Sequence, residues 1–361
     1  MRAKRPACLI SGRNIPEIRR KTGRLKMLKC RTLGMALAMV FLVAGSTAAK
    51  AQEAVRIGTS SVGSTFYTLA IGASEIITKH AKINATAEPV GGSSANVRGL
   101  GAKKVEFALA NSFAAFSGFN GTFNFKKSGK VPIRLVVQAQ ASNRWILLRK
   151  GANIKSLADL KGQTVVAKRR ALPEIALVMG AFIKVFNLDA GSMNLVATTN
   201  SKQAYKAARA GSIAALVMPF GRKAAAVAKP MHDGVLDFFY TSKQKRDEML
   251  KHLPPMMWAN TFPPNTYPGQ TKPVHLIGLN SYFLSRPGVS TKTVYKVAKA
   301  IFENTKEFAT YHKAARNWTL KRALKNVALP FHDGAIRYFK EKGVWTPALE
   351  ANQKKLIAKS R

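Results

Sequence analysis

The chain has 361 residues, 47% of them hydrophobic, with 59 Lys and Arg against 17 Asp and Glu. That length suits two domains of ordinary size, and that apolar content excludes global disorder. Its two cysteines, Cys8 and Cys30, both precede residue 31, which excludes disulfide scaffolds, cysteine nucleophiles and Cys-ligated metal sites from the body of the protein.

Residues 1–31 carry eleven basic residues and one acid, Glu17, and Leu33–Gly45 is an uncharged apolar run followed by STAAKAQ. A basic stretch, a short apolar core and an A-x-A site define a secretory signal, here with cleavage near Ala51. The basic stretch is long, and Met27 offers an alternative start. An exported, periplasmic, cysteine-free mature protein is expected. Twelve basic residues and one acid lie in residues 1–51, leaving 47 against 16 and a formal charge of +31. The basic residues are spread evenly and no nucleic-acid-binding motif occurs, so no nucleic-acid partner is expected.

Strand-like and helix-like segments then alternate, the signature of an α/β fold with parallel pairing. Strands are expected at Val55–Gly58, Ala85–Pro89 and Phe107–Ala110, with helices at Phe66–Ala81 and Ala95–Lys103. Ile133–Gln140 and Trp145–Arg149 read as two paired strands or one interrupted strand. A capping box at Ser156–Asp159 starts a short helix that stops at Gly162. Strands at Thr164–Ala167, Met193–Ala197 and Ile213–Met218 alternate with helices at Pro173–Phe186 and Lys202–Ala210. Leu236–Tyr240 and Lys243–His252 form another strand–helix pair. Trp258–Gln270, with three prolines, reads as a loop-rich connection. His275–Leu284 returns to strand, Thr291–His312 is one long amphipathic helix, and further helices cover about 314–325 and 334–342. Two α/β lobes follow: residues 52–145 with 274–361, and residues 146–273. A chain that leaves one lobe, builds the other and returns can close over a cleft.

Three successive strand-to-helix turns of the first lobe are small and polar. The first is Gly58-Thr59-Ser60-Ser61-Val62-Gly63-Ser64-Thr65, a P-loop spacing without its lysine, which argues against nucleotide phosphate. The second runs Gly91-Gly92-Ser93-Ser94-Ala95-Asn96, and the third is Asn111-Ser112. In an open parallel sheet such turns share the edge where ligands bind, and helix N-termini there attract anions. In the second lobe Arg169 and Arg170 precede a helix, where they read either as a carboxylate clamp or as solvated surface charge. Tyr267 reads as an aromatic wall or as a loop tyrosine packed on the surface. The six histidines are scattered, no catalytic or metal motif occurs, and no cofactor is expected. The protein is expected not to be an enzyme.

The motifs resemble those of TAXI-type solute-binding proteins, the receptors of one class of TRAP transporters. VRIGTSSVGSTFYTLA is similar to that family's IGTGGTGGTYYPLG start, and EPVGGSSANVRGLGAKKVEFALANSFAAF to its TGGSxxNLxxLxxGExDxAFVQSDxA stretch. FPPNTYPGQ resembles IPAGTYPGQ, and LPFHDGAIRYFKEKGVW resembles PLHPGAxRYYKExG. NIKSLADLKGQTVVA matches a pattern shared broadly among binding proteins. The resemblance runs from Val55 to Trp345. It implies a two-lobed type II periplasmic-binding fold that closes on a small organic anion and passes it to TRAP membrane subunits, as a monomer. By position it implies a ligand wall of Thr59–Tyr67 (with Tyr67 at its end), Ser93–Asn96 and Asn111-Ser112, with Tyr267 entering from the far lobe. Two departures stand out. KRRALPE at 168–174 replaces a GxxGSGT-like turn, and AGSIAALVM at 210–218 replaces DGxxDAxF. The resemblance implies a glutamate-like amino acid or related carboxylate, and arginines in place of hydroxyls point to a more negative ligand, a di- or tricarboxylate. The rival reading is a basic surface or adhesive protein that uses its charge rather than a cleft.

Overall fold

The computed structural model describes residues 53–325 and 327–359. The expected signal segment and its cleavage site therefore lie outside the described residues. Within them the first lobe opens with β1 (Ala54–Thr59), α1 (Thr65–Ile76), β2 (Asn84–Pro89), α2 (Ser93–Gly101), β3 (Phe107–Asn111) and α3 (Ser112–Asn120). One uninterrupted strand, β4 (Arg134–Arg149), leads out of it, which settles the open choice over residues 133–149 in favour of a single strand. The second lobe follows with β5 (Thr164–Arg169), α4 (Glu174–Val185), β6 (Asn194–Thr198), α5 (Ser201–Arg209), β7 (Ala215–Phe220), α6 (Ala225–His232), β8 (Leu236–Phe238), α7 (Lys243–Lys251) and β9 (Trp258–Phe262). The chain returns through β10 (Val274–Ser285) and ends in α8 (Thr291–Glu303), α9 (Thr305–Tyr311), α10 (Leu320–Ala323), α11 (Asp333–Glu341) and α12 (Pro347–Ala358).

The strand order is β2-β1-β3-β10-β4-β7-β5-β6, with β8 on β4 and β9 on β10. β1 lies parallel to β2 and β3, and β5 lies parallel to β6 and β7. β10 runs antiparallel to β3, β4 antiparallel to β10, and β7 antiparallel to β4. Three reversals make the two parallel sets point at each other. Their carboxyl ends meet at the middle of the long pair, where Asn111 opposes Ser281 and Phe220 opposes Asn143. This is the two-lobed type II arrangement expected from the sequence.

Among the described residues, the buried apolar ones fall into three clusters. One core joins β1, β3 and the first part of β4 to the helices after residue 285, so the C-terminal segment packs back on the first lobe. Phe107 stacks on Phe283 at 5.3 Å and Phe308 meets Trp318 edge-on at 5.0 Å within it. A second core surrounds Trp145, whose ring lies 5.5 Å from Phe262 and 5.8 Å from Phe238. A third is shared, since Phe113 of α3 packs among Val165, Ile175, Val178 and Phe182. Side chains of this size stabilise by roughly 1.5–3 kcal/mol each when fully buried.

The long strands are also tied from behind. Arg322 donates to the Ala139 carbonyl and, at 3.0 Å, to Asn280 Oδ1; Gln138 Nε2 donates to the Arg322 and Lys325 carbonyls at 3.0 and 2.7 Å. The β4–β10 register shifts between Asn280 and Tyr282, a bulge beside this contact.

Four expectations need correction. Trp258–Phe262 is a strand, not a loop, because it pairs antiparallel with β10 and all three prolines of that segment lie beyond its end. The long helix at 291–312 breaks at Asn304, where Asn304 Nδ2 donates to the Ala300 carbonyl and Thr305 Oγ1 to the Phe302 carbonyl, drawing the local backbone acceptors away from a regular ladder. The helix expected over about 314–325 is a 3-10 turn and then α10, separated where the buried Trp318 turns inward to donate to Gln140 Oε1 at 2.8 Å. The helices α6 and α12 were not anticipated. Pro230 inside α6 masked its pattern, whereas Thr346-Pro347 is a regular cap and first-turn signal for α12.

Two predictions follow from α11. His332 caps it by accepting from the Gly334 N–H at 3.1 Å, and a Cβ on Gly334 would lie 2.5 Å from the Thr291 carbonyl and 2.6 Å from the Tyr295 nitrogen. Gly334→Ala must therefore push α11 off α8, and thermal melts should show destabilisation of about 1–3 kcal/mol. Burial holds His332, His312 and His275 below the ordinary histidine value. A depressed histidine contributes stability that is complete above its unfolded value and is lost as pH falls through its folded value. The melting temperature should fall by a few degrees between about pH 7.5 and about pH 5.5, and less in His332→Asn, which keeps a capping acceptor without the titration.

Candidate functional site

The meeting point of the parallel strand ends gathers six turns, three from each lobe. In the first lobe the turn after β1 stays open: Ser61, Gly63 and Thr65 are exposed, and Ser60 and Tyr67 are partly buried. Ser64 caps α1 by accepting from the Tyr67 N–H at 3.1 Å. Thr59 is fully buried at the strand end and its Oγ1 has no hydrogen-bond partner among the described residues.

The next two turns are held by their own polar groups. Ser93 Oγ accepts from the Asn111 N–H at 3.1 Å, and Ser94 Oγ accepts from Asn124 Nδ2 at 3.0 Å. Asn96, fully buried, donates to the Gly58 and Leu109 carbonyls at 3.3 and 2.6 Å. Ser112 Oγ accepts from the Asn280 N–H at 3.2 Å, which ties α3 to β10. These hydroxyls and amides thus lock the turns into place rather than standing spare. Gly92 has φ of 107°, a left-handed value that favours glycine, and a Cβ there would meet the Ala171 Cβ of the second lobe at 3.3 Å. The two rims approach closely at this point.

From the second lobe, Glu174 is the first residue of α4 and is fully buried. Its Oε1 accepts from Asn111 Nδ2 at 2.8 Å, across the lobes, and from the Arg144 guanidinium on β4. Asn111 Oδ1 meanwhile accepts from the Ala114 N–H at 2.8 Å and so caps α3. Arg144 is 2% exposed. Arg169, partly buried, donates to Ser201 Oγ at 3.4 Å; burial pushes its guanidinium down from the ordinary arginine value, with Glu174 opposing and Arg144 reinforcing. Arg144 Nε, Arg169 Nε and Glu174 Oε2 are buried without hydrogen-bond partners among the described residues. Two guanidiniums face one carboxylate.

The two arginines expected to act as a pair are therefore separated, with Arg169 turned into the cluster and Arg170 exposed. Tyr267 does not present a face to the turns. It is 4% exposed, its ring meets Trp145 edge-on at 5.3 Å, and its hydroxyl donates to the Gly221 carbonyl after β7 at 3.2 Å. Burial pushes its phenol up to about 12, so it is a neutral brace for that turn. The sequence reading missed Arg144 and gave Glu174 no role. Both carried a signal: Arg144 is the one charged residue between Arg134 and Arg149 at the two ends of its strand, and Glu174 is one of few acids in the chain, set just past a proline at a helix start.

Asn111 joins the cap of α3 to the interlobe bond, so Asn111→Ala should cost about 1–2 kcal/mol in chemical denaturation. Asn111→Asp keeps a capping oxygen but sets a second carboxylate against Glu174, and should cost more than the alanine variant in the same measurement.

Several solved structures are similar across most of the chain. The MatC protein of Rhodopseudomonas palustris, with bound malate, is 10% identical, covering 86% of this chain and 99% of that one with a TM-score of 0.49. A periplasmic sulfonate-binding protein, SsuA, from Methylobacillus flagellatus KT is 15% identical over 85% of this chain and 95% of that one, with a TM-score of 0.45. The arginine-, lysine-, histidine-binding protein ArtJ from Geobacillus stearothermophilus is 14% identical over 74% and 95%, with a TM-score of 0.42. The ligands in those names belong to those proteins. A family model matches residues 57–343 of this sequence, and the chain belongs to the NMT1-like family.

Proposed function

We propose that the protein is an extracytoplasmic solute receptor. It closes residues 52–145 with 274–361 against residues 146–273 on a small organic anion, and delivers that anion to the membrane subunits of a TRAP-type transporter. The observation that carries this reading is the buried cluster where the strand ends converge: Arg144 and Arg169 against Glu174 alone, contacted from both lobes through Asn111. A guanidinium out of bulk water with an unspent donor favours a carboxylate acceptor. The TAXI-like motifs support the transporter class, and the signal-like segment supports a periplasmic location. Among the described residues no helix is long and apolar enough to cross a membrane. Binding needs only a higher affinity for the closed state, with no bond made or broken, so no enzymatic step is assigned. The high positive charge outside residues 1–51 adds long-range attraction for anions.

Thermal-shift screening followed by titration calorimetry tests this. Organic acids should stabilise the protein, by about 2.7 kcal/mol at about a hundredfold excess over Kd, while sugars and cationic amino acids should not. A preference for a neutral or cationic solute would overturn the reading.

A further inference from the structure

The cluster that marks the cleft also contains an acid that an anion site does not need. A buried carboxylate is costly unless paired, and Glu174 is fully buried with only one oxygen paired among the described residues. It spends one oxygen on Asn111 and Arg144 and leaves Oε2 without a partner. Arg169 remains with one long bond to Ser201 and an unpartnered Nε, and Arg144 Nε is unpartnered as well. The cluster therefore carries one positive charge in surplus. Its unspent groups are of both kinds, guanidinium N–H donors and one carboxylate acceptor.

Charge and hydrogen bonding restrict what can fill such a place. A dianion would bring one negative charge too many into a buried site, and the excess has no partner there. A plain monocarboxylate would answer the guanidiniums and leave Oε2 unsatisfied, at a cost comparable to a lost hydrogen bond. A carboxylate of net charge −1 with its own donor, a hydroxyl or an ammonium, answers both.

We propose that Glu174 is a specificity-determining residue: by neutralising one of two guanidiniums and offering a free oxygen, it selects a singly charged carboxylate that carries a hydrogen-bond donor, and it rejects dianions. This rests on the receptor reading above and narrows its ligand class. The di- or tricarboxylate expected from Arg169 and Arg170 is thereby disfavoured, because Arg170 is exposed and Glu174 offsets the remaining pair.

The test is calorimetric titration of the protein at fixed ionic strength with lactate, glutamate, succinate and citrate. The wild type should bind lactate or glutamate at least about tenfold more tightly than succinate or citrate. In Glu174→Gln the cluster gains a positive charge, and the affinity ratio of succinate to lactate should rise about tenfold or more. In Arg169→Gln the cluster is neutral, and lactate and glutamate should both weaken by about tenfold or more. Should Glu174→Gln not fold, the Arg169→Gln arm decides, and unchanged lactate and glutamate affinity there overturns the proposal. A merely structural Glu174 would alter stability in Glu174→Gln and leave the succinate-to-lactate ratio where it was, which also overturns it. Wild-type preference for succinate or citrate defeats this proposal and leaves the receptor reading standing. Absence of binding by these four acids and by every solute in the wider screen defeats both.

Discussion

The antiparallel pairing of β4 with β10 is the constraint from which the rest follows. A parallel sheet sends all its carboxyl ends to one edge, and two such sheets built in succession would ordinarily aim the same way. Placing two long antiparallel strands between them reverses one set against the other. Asn111 at the end of β3 and Phe220 at the end of β7 then arrive at the same stretch of β4 and β10. The helices that follow those strands begin there too, so capping side chains, helix N-termini and Arg144 of β4 share one small region.

In that region polar groups sort into two kinds. Most of the serines and asparagines that line the first-lobe turns are occupied in holding backbone, as Ser93 does for Asn111 and Ser112 for Asn280. Such groups make the turns rigid and the positions of their neighbours reproducible. The charged residues Arg144, Arg169 and Glu174 keep unspent capacity, as does the buried Thr59 hydroxyl. In a chain with so few acids, the full burial of Glu174 against Arg144 distinguishes it from the surface ion pairs, such as Lys243 with Asp247, that neutralise solvated charge along helices.

Much of this was legible in the sequence. Alternation of short apolar runs with amphipathic stretches located β1 to β3 and β5 to β7 closely, because β3, β5 and β7 carry runs of buried apolar residues and the helices have one apolar stripe. The small-residue turns were placed at the right edge for the same reason. What failed was long-range. Trp258–Phe262 becomes a strand only because β10 runs beside it, and nothing local says so. Asn304 splits a helix whose apolar stripe runs on unbroken. The role of Arg144 depends on a partner 30 residues away on another lobe, and Tyr267 is drawn inward by Trp145 from the far end of β4. Hydroxyl-rich turns look alike whether their donors are spent or spare, and only the partners distinguish them.

The contacts made by Arg322 carry a consequence for motion. That residue and the backbone around it grip β4 at Gln138 and Ala139 and β10 at Asn280, and the segment that bears it is packed into the core of the first lobe. Both crossing strands are thus fastened to one body up to that line. On the proposed receptor reading, swinging of the second lobe would have its pivot just past the fastening, between Ala139 and Asn143 on one strand and across Asn280 on the other, next to Arg144. An axis so close to the charged cluster would turn a wide movement at the outer rims into a small displacement at the guanidinium, so the groups proposed to hold the anion would keep nearly the same spacing while the doorway in front of them changed width.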